Sequence, residues 1–136
     1  MAALLPVLRG LKTRLETIDG LRVHETIPGA IDPPAAVLSL ETVTYDSSMS
    51  RGSDDLVFSA DVFTSMASDR SGQELLFSFI DGEGPNSVKA AVEADPLLGG
   101  VAMFAEVTDA GAPRIASFGE IEYYNVQFRI FVSVAG

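Results

Sequence analysis

In the C-terminal stretch "EIEYYNVQFRIFVSV" large apolar side chains occupy every even position from Tyr124 to Val134: Tyr124, Val126, Phe128, Ile130, Val132 and Val134. Successive side chains of a β-strand point to opposite faces, so this alternation places all of them on one side. Burying side chains of this kind contributes roughly 1.5–3 kcal/mol each. A strand this long and one-sided requires neighbours on both edges and a layer packed against its apolar face. The expectation is a central strand of an antiparallel sheet with helices on one side.

The rest of the chain supplies those parts. Leu4, Leu8, Leu11, Leu15 and Ile18 fall at steps of four and three, one stripe of an amphipathic helix, with Arg9, Lys12, Arg14 and Glu16 off the stripe. Gly10 weakens the middle of that helix by about 1 kcal/mol, and Asp19-Gly20 ends it. "GLRVHETIPGAIDPP" reads as a short strand and a loop, and "AAVLSLETVTYD", rich in β-branched residues, as a second strand. "SSMSRGSDD" is a polar, hairpin-like segment. Beyond it Leu56, Phe58, Ala60, Val62 and Met66 share one face with period two. Ser68 can cap a helix over "DRSGQELLFSFI" that buries Leu75, Leu76, Phe79 and Ile80, and Ser87 can cap a shorter one over "VKAAVEA". "VAMFAEVTD" and "RIASF" complete the strands. The fold class is α+β: a single domain over residues 1–136, mainly antiparallel sheet packed against an N-terminal helix and one or two further helices.

Composition narrows the chemistry. With 136 residues, 47% of them hydrophobic, the chain can bury roughly two-thirds of its unfolded surface. It has no cysteine, which excludes disulfides, thiol nucleophiles and cysteine-ligated zinc. A single histidine excludes a multi-histidine metal site within one chain. The net charge of −10 disfavours nonspecific DNA binding, which depends on Lys and Arg displacing counterions, and an anionic membrane surface would repel it. No run approaches the roughly 18 apolar residues of a membrane span. "MAALLPVLRGLKTRL" lacks the charged segment that precedes the apolar core of a secretory leader, so it is read as helix and the setting as soluble and cytoplasmic.

Several stretches invite a ligand. "DGEGPNS", from Asp81 to Ser87, has two carboxylates among glycines. A calcium loop needs oxygen ligands at alternating positions and a closing Glu, and a phosphate loop needs Gly-Lys-Ser/Thr; this stretch has neither. Backbone freedom at Gly82 and Gly84, rigidity at Pro85 and a helix cap at Ser87 account for it as a turn. His24 beside Glu25 lacks a nucleophile-elbow partner and reads as a strand-edge histidine. Asp54-Asp55 falls in the polar segment, where both carboxylates are expected to stay hydrated, and Glu120/Glu122 reads as solvated or interfacial charge. No catalytic, cofactor-binding or metal-binding residue is assigned, and no cofactor is expected.

The odd positions of the last strand are less easily explained. Ile121, Tyr123, Asn125, Gln127, Arg129, Phe131 and Ser133 would face away from the helices, and Val57 and Phe63 occupy the same side of the earlier strand. Either these are scattered exposed apolar groups, or a second layer or another subunit covers them. Ile121, Tyr123, Arg129 and Phe131 are therefore interface candidates. So is the segment from Asp46 to Asp55, where Arg51 stands amid Asp46, Asp54 and Asp55: it is either a contact or lumen loop with an inter-subunit ion pair, or a free surface hairpin.

In order along the chain, "GLRV", "PPAA", "TYDSSMSRGSDD", "SDRSGQ" and "GEGPNSVKAAVEADPLLGG", followed by the long alternating strand, resemble the small tail-terminator or head-to-tail connector (neck) proteins of long-tailed bacteriophages, in particular those infecting high-GC actinobacteria. The likeness spans nearly the whole chain and rests on order and spacing. It implies a non-enzymatic virion protein, a homo-oligomeric, hexameric ring at the head-proximal end of the tail. Such a ring caps the tail tube, meets the head-tail connector or head-closure protein, and leaves a channel through which DNA passes without specific binding. It implies location in the virion neck, after assembly in the host cytoplasm. Six copies at −10 each carry about −60, and an acidic channel wall repels phosphate rather than gripping it. Another neck or tail-completion protein is an alternative within the same setting. Outside it, the alternatives are a cytosolic α+β ligand-binding module that dimerises through its outer sheet face, and a small hydrolase or isomerase working through Asp or Glu.

Overall fold

The computed structural model describes residues 4–26, 28–45, 53–66 and 69–135. Helix α1 (Leu4–Leu15) leads into strand β1 (Arg22–His24), then β2 (Ala35–Thr44) and β3 (Ser53–Ser65). Helices α2 (Asp69–Ile80) and α3 (Val88–Glu93) follow, then a 3-10 turn (Leu98–Gly100) and strands β4 (Phe104–Ala110), β5 (Arg114–Phe118) and β6 (Ile121–Ala135). The sheet runs β1-β2-β3-β6-β4, with β5 beside β6 as well. Among the described residues only β1 and β2 pair in parallel; every other pairing is antiparallel.

As the alternation requires, β6 is central. It pairs with β3 along one edge, from Ser53↔Ala135 to Ser65↔Tyr123. Along its other edge β4 takes the distal half and β5 the proximal half. Strands β4 and β5 thus form one interrupted arm of a long hairpin with β6, closed by the two-residue turn Gly119-Glu120, in which Gly119 has φ +67°. Strand β2 is bulged at Glu41, beyond the stretch that β1 pairs, and β4 at Thr108, both where the strand lies at the sheet edge.

The helices cover one face. Leu56, Phe58, Ala60 and Val62 of β3 and Val126, Phe128, Ile130, Val132 and Val134 of β6 are buried with Val7, Leu11, Leu15 and Ile18, and with Leu76, Phe79, Val88 and Val92. The amphipathic stripe read from the sequence is the buried side of α1, with Val7 added and Leu4 and Leu8 half-buried. Thr64, not Met66, continues the β3 alternation inward: its hydroxyl donates to the Gly72 carbonyl at 3.0 Å.

Gly10 and Gly72 are sites of close approach. A Cβ on Gly72 would overlap the Ser65 carbonyl oxygen and lie 3.1 Å from the Tyr124 ring, so α2 can dock on β3 and β6 only without a side chain there. A Cβ on Gly10 would sit 3.0 Å from Leu98 Cβ. The small residue that weakens α1 as a helix lets it meet the 3-10 turn.

Caps and cross-links follow the sequence reading where they are described. Ser87 starts α3, its hydroxyl accepting from the Ala90 N–H at 3.0 Å; the Ser68 cap lies outside the described residues. The Arg14 Nε–H donates to the Ala91 carbonyl at 3.0 Å, tying α1 to α3. Glu93 takes Lys89 at 2.7 Å and the Val107 N–H at 3.1 Å, tying α3 to β4 beside its bulge.

Candidate functional site

The opening ligand candidate is a turn. The Glu83 N–H donates to Asp81 Oδ1 at 3.3 Å, the Ser87 N–H to the Gly84 carbonyl, and Asn86 Nδ2 to Ser78 Oγ at 3.2 Å. Asp81 and Glu83 are exposed. Among the described residues there is no group of three or more His, Asp or Glu side chains placed to hold a metal ion. His24 ends β1; its Nε2 and Glu25 Oε2 are enclosed with no hydrogen bond among the described residues, and Arg9 Nε lies 3.9 Å from that carboxylate oxygen.

The sheet face turned away from the helices divides into three zones. At the β5–β6 turn end, Val37, Phe63 and Tyr123 form a second, smaller core with Ile31, Ala116 and Phe118. Phe63 meets Phe118 and Tyr123 edge-on, with centroids 5.7 and 6.0 Å apart, a geometry worth about 0.5–1.5 kcal/mol per pair beyond burial. Tyr123, expected at an interface, is therefore covered by its own chain: Ile31 from the β1–β2 connection and β5 supply the layer that a second subunit was invoked to provide.

The middle zone is polar. Asn125 is buried; its amide donates to the Val62 carbonyl at 3.2 Å and its oxygen accepts from Arg114 Nε at 3.0 Å. Asp61, directly opposite Gln127 in the register, is half-buried. Burial pushes its carboxyl above the ordinary range, opposed by hydrogen bonds from Gln127 and Asn125 and by the Arg114 charge, and assisted by the Glu41 charge. Arg129, a further cation on this face, stands between the two bulges. Its guanidinium is 4.0 Å from Glu41 and 3.8 Å from Asp109. Ser59, opposite Arg129 in β3, is small enough to let Glu41 reach across from β2. Arg129 therefore has carboxylate partners within the chain, although it remains half exposed.

The third zone is open. Val57 pairs with Phe131, Phe131 with Glu106, and Phe104 with Ser133. Val57 and Phe131 are half-buried, and Phe104 is 45% exposed. Phe131 thus keeps the position expected of it, on a sheet face with no further layer of described residues above it. Leu97, Val101 and Met103 lead into Phe104 and are also exposed.

The remaining interface candidates separate. Ile121, 59% exposed, stands at the hairpin turn between exposed Glu120 and Glu122. Asp46 and Arg51 lie outside the described residues. Asp54 and Asp55, expected in a hydrated loop, belong to β3 opposite Val134 and Ser133. Asp54 is only 7% exposed. Strand pairing with the far end of β6 extends β3 back into the polar segment and draws Asp54 onto the helix-facing side.

Sequence reasoning missed a groove on the helix side. It holds about 500 Å³ between α2 and β5 and is lined by Gln73, Leu76, Phe77, Ile115 and Tyr124, together with Pro113 and Arg114. Gln73 Nε2 donates to the Tyr124 hydroxyl across it at 3.3 Å. Its sequence signal is Phe77, an aromatic residue off the buried stripe of α2 and 57% exposed. No protein-family model matches the chain, and no curated protein matches it.

Proposed function

We propose that the chain is a virion structural protein of a long-tailed bacteriophage, a homo-oligomeric ring of six copies at the head-proximal end of the tail. In this reading it caps the tail tube, offers its other side to the head-tail connector or head-closure protein, and leaves an acidic channel for DNA. It performs no catalysis, assembles in the host cytoplasm and resides in the virion neck.

The observation that carries the reading is the open third of the sheet, where Val57 stands opposite Phe131 and Phe104 lies diagonal to Phe131 on β4, two residues from Glu106. An apolar surface on such a scaffold suits a face that another protein covers. The net charge of −10 supports the channel role, since a wall of that sign lets DNA slide. The order of motifs along the sequence supplies the setting. The test is electron microscopy of the purified chain, alone and mixed with tail tubes assembled from a long-tailed phage tube protein. Rings, and tubes whose growth stops with a ring on one end, are expected; tubes that elongate unchanged and carry no added density contradict the reading.

The groove between α2 and β5 favours one second reading, an α+β module that takes a small apolar ligand. Retention of such a ligand through purification, with protection of Tyr124 and Phe77 on binding, would favour it over the ring.

A further inference from the structure

The protein is acidic overall, but its charge is unevenly placed. Helix α1 carries Arg9, Lys12 and Arg14 and no acidic residue, three of the nine cations of the chain. Arg14 is committed to the Ala91 carbonyl. Arg9 and Lys12 lie four and seven residues beyond Leu5, and positions spaced in this way share one helix face. That face points outward: Leu5 is 46% exposed and the Arg9 side chain 64%. Arg9 approaches Glu25 only to 3.9 Å, and Lys12 makes no ion pair among the described residues. The outer side of α1 thus carries an apolar residue beside exposed Arg9 and half-buried Lys12, with one exposed carboxylate, Glu16, a turn further on at the end of the helix.

The opposite arrangement occurs at the tip of the β5–β6 hairpin. Pairing with β3 ends at Tyr123, so the ribbon runs on past its neighbour through Glu122, Ile121 and the Gly119-Glu120 turn. Ile121 is the most exposed aliphatic side chain among the described residues, and both residues flanking it are exposed glutamates. The described residues leave it 59% exposed, although Phe118, opposite it in the register, is half-buried in the smaller core.

We infer that the hairpin tip of one copy docks on the outward face of α1 of the next, Ile121 against Leu5 and the Glu120 and Glu122 carboxylates against Arg9 and Lys12. This inference rests on the ring reading and names its subunit contact. Helix α1 packs against β1, α3 and the 3-10 turn, whereas the tip belongs to β5 and β6. Each subunit therefore carries a plug and a socket on different elements. Contacts of that kind are head-to-tail, and a head-to-tail contact closes into a ring when its rotation suits. The pairing also answers the repulsion among copies of a −10 chain, because it sets acidic tips on a basic helix. The shortness of β1, three residues, and the bulges at Glu41 and Thr108 disfavour the competing route, edge-to-edge strand pairing.

Native mass spectrometry of charge-reversed proteins tests the contact. The pair Arg9→Glu with Lys12→Glu, and separately Glu120→Lys with Glu122→Lys, are each expected to lose the ring and run as monomers. Mixing the two restores rings of alternating subunits, since each tip again meets a socket of opposite charge. Assembly of the unaltered chain is expected to weaken with added salt, which shortens the screening length from about 8 Å at physiological strength. Ile121→Ser is expected to weaken it without changing the salt response. Should a reversed protein fail to fold, the neutral substitutions Glu120→Gln and Glu122→Gln with the salt titration carry the test. Rings that survive both reversals, or reversed proteins that do not recover on mixing, overturn the docking and leave the ring standing. An unaltered chain that stays monomeric overturns the ring and the docking with it.

Discussion

At Gly72 the absence of a side chain decides whether a helix can sit on the sheet. The position is buried, its carbonyl accepts the Thr64 hydroxyl, and a methyl group would collide with the Ser65 carbonyl oxygen. Gly72→Ala is expected to destabilise the fold by about 1–3 kcal/mol, the usual cost of forcing atoms into a packed site. At Gly10 the same change gains about 1 kcal/mol of helix propensity, which offsets the squeeze on Leu98. Urea denaturation should show the Gly72 variant much the weaker of the two; similar midpoints would contradict the packing described. Asp61 makes a different prediction. Its carboxyl is pushed above the ordinary value of 3.8, first by burial, so the folded state holds this proton more tightly than the unfolded chain. Its contribution is complete below that value and is lost as pH rises through the raised folded pKa. Asp61→Asn should therefore be more stable than the unaltered protein at pH 7, with the gap in melting temperature narrowing as pH falls toward 3.8. A gap that widens on acidification would show that the Gln127 and Asn125 hydrogen bonds outweigh burial.

Helix α3 is six residues long and owes its start to Ser87, whose side chain is almost fully buried. Ser87→Ala should cost about 1 kcal/mol and speed hydrogen exchange at Ala90, whose N–H loses its partner; unchanged exchange there would show that packing alone holds the turn. Elements were the most legible level of this sequence. The six-residue alternation in β6, the stripe of α1 and the Ser87 cap were readable because each depends on local periodicity or on one hydrogen bond. Less legible was what covers a face. Alternation placed Tyr123 and Phe63 away from the helices correctly, yet it carries no information about β5 and Ile31 folding over them. Asp54 was misplaced for a related reason. A polar composition suggests a loop, but pairing with Val134 makes it strand and carries it inward. The groove beside Phe77 depends on how far α2 stands from β5, a tertiary distance with no local signature.

The whole molecule is asymmetric in its surfaces. One sheet face is filled by helices. The other is partly filled by the chain itself, partly braced by the Glu41–Arg129–Asp109 charges, and partly open at Val57, Phe104 and Phe131. An acidic hairpin tip and a basic helix face lie on separate elements. A chain with surfaces so divided fits the proposed repeat contact with copies of itself, of which a ring is the closed form. The most direct measurement is the native mass of the purified chain across a range of concentrations. The account predicts a discrete closed species at six times the 14.4 kDa chain mass. A chain that remains at 14.4 kDa however concentrated, or pairs only into a dimer, would contradict it.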